Sequence, residues 1–261
     1  MFEQLEAKRS LTANQWRIVA AAIIGDMLEF FDYFLIGFVL AFIVGPWQLS
    51  FGQSAVILLS SGIGAILGAA IDSAEKGIKA KPEIMMPLVA TMGELDRLAA
   101  NVTEVAERVF KERGKRAEYK FGTMIEIPRA CIIADQIATK TEFFSFGTND
   151  LTQTVLGISR DDAQKSFLTR YVEEKIIPAD PFQVLDRDGV GAMMRMAVER
   201  GRKTKPNLKI GICGEHAGEA SSVALCHELG LTYVSPSTYR VPVARLAAAQ
   251  AALAGGAARD R

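Results

Sequence analysis

Phe121-Gly-Thr-Met-Ile-Glu-Ile-Pro-Arg129, Glu142-Phe-Phe-Ser-Phe-Gly-Thr-Asn-Asp150 and Lys209-Ile-Gly-Ile-Cys-Gly-Glu-His216 are three short apolar runs, each ending at Gly, Pro or polar residues. Such runs, separated by helical segments, read as buried strands of a parallel sheet. Ala130 to Lys140 and Val190 to Arg202 have the composition and apolar spacing of those helices. Strand and helix in alternation predict an α/β fold, either a barrel or a doubly wound sheet. In a barrel the chemistry collects where strands end at the carboxyl face. Glu126, Asn149, Asp150 and Cys213 all fall at such ends.

Working outward, Pro82 to Val89 reads as a further buried strand. Gly93 to Arg113 reads as a long amphipathic helix with a solvated charged face. Leu231 to Ser235 reads as a last short strand, and Val241 to Leu253 as a closing helix. Two carboxylates at neighbouring strand ends suit one hard cation, because Mg²⁺ takes one or two carboxylates and keeps oxygen positions for water and substrate. Glu126 and Asp150 fit that pattern. They equally fit a pair of helix N-caps, and spacing leaves both readings open. Cys213 sits between two glycines, which let the backbone pass close to a ligand. It is equally a small buried hydrophobe.

Lys plus Arg and Asp plus Glu number 30 each, so no net field draws the chain to nucleic acid. Three irregularly spaced cysteines show no metal pattern and fit free thiols in a reducing compartment. The charges are unevenly spread, however: Tyr33 to Ile71 holds 39 residues without an acid or a base. A spanning helix needs about 20 mostly apolar residues. Residues 18–44 and 54–71 are therefore predicted as two transmembrane-like helices, with Gly64 and Gly68 as small residues four apart at a helix contact. Asp26, Glu29 and Asp32 lie along one face of the first. The expected division is a membrane-like segment, residues 1–71, and an α/β portion, residues 72–261.

Met124-Ile-Glu-Ile-Pro128, Phe143 to Gln153 and Gly211-Ile-Cys-Gly-Glu-His216 resemble the carboxyl-terminal phosphoenolpyruvate-binding barrel of the phosphoenolpyruvate-utilising enzymes. That family includes pyruvate, phosphate dikinases, phosphoenolpyruvate synthases and enzyme I of the sugar phosphotransferase system. The stretches Ser159 to Ala163 and Asp180 to Gly191 are most similar to the dikinase members, with synthase or enzyme I relatives as the alternative. The resemblance covers residues 70 to 252 and implies the last five strands of a (β/α)8 TIM barrel. Leu11 to Arg17, Gly25 to Gly37 and residues 54–71 resemble instead the first two helices of major facilitator metabolite/proton symporters. A fusion of two unrelated parts is thus expected, with a truncated transporter carrying a soluble tail as the other reading.

The first resemblance implies roles residue by residue. Glu126 and Asp150 would hold Mg²⁺ against phosphoenolpyruvate or pyruvate. Gly147, Thr148 and Asn149 would present donors to the substrate, and Arg160 would contact the phosphoryl group, unless it is a surface arginine beside Asp161 and Asp162. Cys213 would protonate the enolate carbon. His216 reads as a structural or orienting residue and His227 as a helix residue. Neither lies in a phosphohistidine carrier motif, and no ATP-binding region is recognisable. Activity of the chain alone in phosphoryl transfer is therefore not expected. The open edges of a partial barrel predict self-association, and residues 15–71 predict membrane association. The barrel portion is expected in the cytoplasm, anchored at the inner membrane if the helices insert.

Overall fold

The computed structural model describes residues 51–259, with side chains described for residues 62–254. The first predicted membrane helix and its acidic face, Asp26, Glu29 and Asp32, lie outside the described residues. The chain divides into two units, Met1–Gly62 and Ile63–Arg261, and the second holds the sheet.

Five strands form one sheet in chain order: β1 (Glu83–Met86), β2 (Lys120–Ile125), β3 (Phe143–Gly147), β4 (Lys209–Cys213) and β5 (Tyr233–Ser235). Every neighbouring pair is parallel, in the registers Glu83 to Lys120, Gly122 to Phe143, Phe143 to Lys209 and Gly211 to Tyr233. Among the described residues β1 and β5 are the two edges. A parallel α/β sheet of five strands is what the sequence predicts, and it agrees with part of a barrel.

Helices connect the strands. They are α1 (Phe51–Glu75), α2 (Met92–Arg113), α3 (Pro128–Ile132), α4 (Ala134–Ala138), α5 (Thr148–Leu156), α6 (Arg160–Ser166), α7 (Leu168–Glu173), α8 (Val190–Thr204), α9 (Ala220–Glu228) and α10 (Val241–Arg259). Local chemistry sets their ends. Thr91 and Glu94 form a reciprocal capping box at the start of α2, and Gly114 in the left-handed region ends it. Asp186 accepts the Gly189 and Val190 N–H groups at the start of α8, at 3.0 and 3.2 Å. The helix predicted over 130–140 is interrupted at Ile133, yet both pieces bury one apolar set: Ala130, Cys131, Ala134, Ile137 and Ala138.

The core is carried by β3 and β4. Phe143, Phe144 and Phe146 are buried with Ile210 and Ile212. Two glycines make room for rings: a Cβ at Gly122 would strike the Phe143 ring, and one at Gly211 the Tyr233 ring. Side chains of one strand thus lie over glycines of its neighbour.

The predicted transmembrane helix over 54–71 is not supported. Among the described residues no helix is long and apolar enough to cross a membrane. Residues 54–71 belong to α1, and within its described part Ile63, Leu67, Ala70 and Ile71 are buried. Their spacing of i, i+4, i+7 and i+8 is that of a stripe facing a protein core. Gly64 and Gly68 face Val109 and Arg113 of α2. Arg113 pairs with Asp72 at 3.4 Å and Lys115 with Glu75 at 2.6 Å. Over residues 62–71 the outer face carries Gly62, Ala65, Ile66 and Ala69 in place of charges, so this part reads as uniformly apolar.

Candidate functional site

Glu126 follows β2, and Gly147, Thr148, Asn149 and Asp150 form the junction of β3 and α5. Cys213 ends β4. Parallel strands bring these ends to one side of the sheet, so residues 87 positions apart can share a site. Arg160 opens α6, beside the same junction: its backbone N–H donates to Gln153 Oε1 at 2.8 Å.

The Glu126 carboxylate is buried, at 3% exposure. Its Oε1 accepts the Leu88 N–H at 2.6 Å. Leu88 has φ +51°, the left-handed region that a branched side chain rarely occupies. That strain turns the Leu88 N–H toward Glu126. On the other side, a Cβ at Gly147 would collide with Glu126 Oε2. Burial pushes the Glu126 carboxyl above its usual range, the Leu88 N–H opposes this, and the neighbouring Asp150 carboxylate pushes it further up.

Neither carboxylate is a helix cap. The residue capping α3 is Ile127 and that capping α5 is Gly147, and neither cap uses a side-chain hydrogen bond. Asp150 Oδ1 instead accepts from Gln153 Nε2 at 3.2 Å. Beside the pair, Asn149 Oδ1 is buried and has no hydrogen-bond partner. Among the described residues no cluster of three or more His, Cys, Asp or Glu side chains gathers for a metal. Two facing carboxylates, one of them raised by the other, with an unpartnered amide oxygen alongside, fit a Mg²⁺ ion that keeps water and substrate positions. A cation there would offset the Asp150 repulsion that adds to the cost of burying Glu126.

Cys213 is half-buried. Its thiol lies 3.6 Å from the Phe146 carbonyl and within hydrogen-bonding reach of Ser145. Burial pushes the thiol up and the negative Glu126 and Asp150 add to that, against the Ser145 hydrogen bond. The group therefore keeps its proton at neutral pH, as a proton donor must. The Tyr233 hydroxyl donates to the Phe144 carbonyl at 3.5 Å, and burial pushes its ionisation up. Sequence reasoning missed Ser145, Tyr233 and Leu88. Ser145 carried a signal, being the one polar residue among the three phenylalanines of a wholly buried strand. Leu88 acts through its backbone and carried none.

Thr148 is fully buried and its hydroxyl lies 2.7 Å from His216 Nδ1. His216 Nε2 lies 2.8 Å from the Pro181 carbonyl. Burial lowers the His216 pKa, so the ring stays neutral. Arg160 stands at the edge of the site. Its guanidinium lies 3.9 Å from Glu215 and 5.7 Å from the centre of the Phe182 ring. Asp161 and Asp162 belong to the first turn of α6, where Ser159 caps the Asp162 N–H at 3.3 Å.

The family described as PEP-utilising enzyme, PEP-binding domain, matches residues 51–253. The chain is 58% identical over 190 residues to the pyruvate, phosphate dikinase of Clostridium symbiosum, covering 72% of this chain and 22% of that one. It is 57% identical over 186 residues to pyruvate, phosphate dikinase 2 of Zea mays, covering 71% and 21%. It is 50% identical over 209 residues to the pyruvate, phosphate dikinase of Entamoeba histolytica, covering 80% and 24%. The chain spans about a fifth to a quarter of the length of the curated relatives it matches. The match takes in α1, so the symporter resemblance expected for residues 54–71 is not supported; residues 1–50 lie outside the match and outside the described residues. By the length of that match and the strand-end site it covers, the chain belongs to the phosphoenolpyruvate-utilising enzymes, through their phosphoenolpyruvate-binding domain.

Proposed function

We propose that this site is the phosphoenolpyruvate/pyruvate half-site of a pyruvate, phosphate dikinase. The observation that carries it is the facing pair Glu126 and Asp150 beside a protonated Cys213. Glu126 and Asp150 hold Mg²⁺, which supplies Lewis-acid stabilisation of enolate charge when bound. The backbone at Gly147 and Thr148 and the side chain of Asn149 orient the substrate. The Thr148 hydroxyl is directed at His216, so the N–H groups of this helix start supply its donors. Arg160 moves from Glu215 to the phosphoryl group, where a planar fork binds anionic oxygens well.

When the phosphoryl group leaves phosphoenolpyruvate for a histidine acceptor, the enolate remains. Cys213 gives its S–H proton to the enolate carbon, a C–H bond forms and pyruvate results. The thiolate left behind takes the proton back in reverse. Ser145 stabilises that thiolate by hydrogen bonding. A buried, partnered Ser145 is worth about 0.5–1.5 kcal/mol in such a role.

In this reading every site residue lies in the second part of the chain, residues 72–261, and its free cysteines suit the cytoplasm. The edges β1 and β5 are single-paired among the described residues, and self-association through them is a further element of the proposal, read by light scattering. The test of the chemistry is exchange of the pyruvate methyl protons with deuterated solvent in the presence of Mg²⁺. Exchange that vanishes in Cys213→Ala supports the reading; exchange equal in both proteins contradicts it.

A further inference from the structure

His216 is one of two histidines in the chain, and it is fully buried with both ring nitrogens engaged. We infer that His216 is a positioning residue: its imidazole pins the first turn of α5, which carries Asn149 and Asp150, to the β4 end that carries Cys213. The inference rests on the site reading above.

The hydrogen-bond roles follow from elementary chemistry. The Pro181 carbonyl can only accept, so His216 Nε2 carries the ring proton. Nδ1 of the neutral ring is then an acceptor, and the Thr148 hydroxyl must donate to it across 2.7 Å. Thr148 has one hydroxyl proton. Committing it to His216 withholds it from the Cys213 carbonyl, 3.3 Å away. One imidazole therefore joins three segments that are 68 and 35 residues apart in sequence: the start of α5, the turn after Cys213 and the connecting stretch at Pro181.

The anchor is needed because α5 begins poorly held. Its N-cap is Gly147, which cannot cap with a side chain, and no larger residue fits there beside Glu126. Asp150 turns to Gln153, within the same helix. Thr148 is thus the first residue of α5 whose side chain ties it to another part of the fold. Fixing the helix start fixes the spacing of Asn149 and Asp150 from Cys213. Since a misplacement of about 1 Å at reacting groups costs about a hundredfold in rate, the anchor matters to the site although it touches no substrate.

The test uses the full chain labelled with ¹⁵N. Long-range ¹H–¹⁵N spectra report the protonation of each imidazole nitrogen, with exposed His227 as internal reference. Amide exchange is followed at Asn149, Asp150 and residues 213–218 in the wild type, Thr148→Val, Thr148→Ser and His216→Asn. Valine keeps the shape of threonine without the hydroxyl, serine restores the hydroxyl, and asparagine keeps an acceptor at the Nδ1 position. The expected results are an Nε2-protonated ring and amide exchange about tenfold faster in Thr148→Val, the equilibrium equivalent of one net hydrogen bond. Thr148→Ser and His216→Asn should return to near wild-type exchange, with residues 210–212 unchanged throughout. An Nδ1-protonated ring in the wild type, or wild-type exchange in Thr148→Val, overturns the inference. Calorimetry with Mg²⁺ and oxalate, a planar dianion shaped like the enolate, runs in parallel. Absence of binding in the wild type counts against the site reading, whereas the exchange and tautomer data judge the anchor by themselves.

Discussion

Glu83 of β1 and Lys209 of β4 form an ion pair in which Lys209 Nζ lies 2.6 and 2.9 Å from the two carboxylate oxygens, although two strands stand between them. In a flat sheet, strands three places apart lie about 14 Å from one another. The side chains meet because the sheet curls toward its concave face, as a barrel wall does. Lys209 also lies 4.7 Å from the centre of the Tyr233 ring and 5.9 Å from that of Phe143. The ammonium is therefore held over aromatic faces at the amino-terminal end of the sheet, opposite the site.

This pair should couple the outer strand to the centre. Both side chains are about one-third exposed or less, so the coupling is expected at about 0.5–1 kcal/mol rather than the larger values of fully buried pairs. A double-mutant cycle with Glu83→Gln and Lys209→Met, read by urea unfolding, measures it. Additive effects would show that the contact does not hold the curl.

Gly147→Ala should damage the site specifically, because the added methyl collides with the Glu126 carboxylate. The expected cost is about 1–3 kcal/mol of stability, typical of overpacking, together with loss of Mg²⁺ affinity. Unfolding curves and Mg²⁺ titration check both. Unchanged Mg²⁺ affinity would mean that Glu126 Oε2 is not a ligand.

Stability should depend on pH from two sides. His216 has a lowered pKa in the fold. Below about pH 6.5 the unfolded chain binds a proton that the fold refuses, so stability falls as pH falls there. Glu126 has a raised pKa. Above the usual carboxylate range the fold holds a proton that the unfolded chain has lost, so stability falls as pH rises through that window. Urea unfolding between pH 5 and 8 should show Glu126→Gln relieving the loss on the alkaline side. His216→Asn should relieve the loss on the acid side. Curves parallel to wild type in both variants would contradict these environments.

The three thiols should react at different rates. Cys131 and Cys226 are buried and pushed up to about 12, whereas Cys213 is half-buried with Ser145 opposing its shift. Iodoacetamide at pH 8, followed by peptide mass spectrometry, should label Cys213 first. Ser145→Ala should slow it, because the hydrogen bond that favours the thiolate is gone. Faster labelling in that variant would invert the role given to Ser145.

Much of this was legible in the sequence because strands buried on both faces announce themselves. Phe143 to Gly147 and Lys209 to Cys213 are continuous apolar runs closed by glycine and polar residues, and parallel pairing then forces their ends together. Glu126, Asp150 and Cys213 could be singled out on that ground. The choice between metal ligand and helix cap could not, since it turns on which backbone N–H each carboxylate meets. Leu88 was opaque because it acts through a strained N–H, and Thr148, singled out as a substrate donor, hid its contact to His216, 68 positions away. Over residues 62–71 the stripe Ile63, Leu67, Ala70 and Ile71 was hard to see, because Gly62, Ala65 and Ala69 on the outer face carry no polar signal.

The central claim is that Glu126 and Asp150 make one Mg²⁺-dependent site for phosphoenolpyruvate, and calorimetric titration of phosphoenolpyruvate with and without Mg²⁺ tests it most directly. Binding should require Mg²⁺ and should weaken at least tenfold in Glu126→Gln and in Asp150→Asn, about 1.4 kcal/mol or more for each lost charged contact. Binding that is equally tight without Mg²⁺, or unchanged in both variants, would contradict the account.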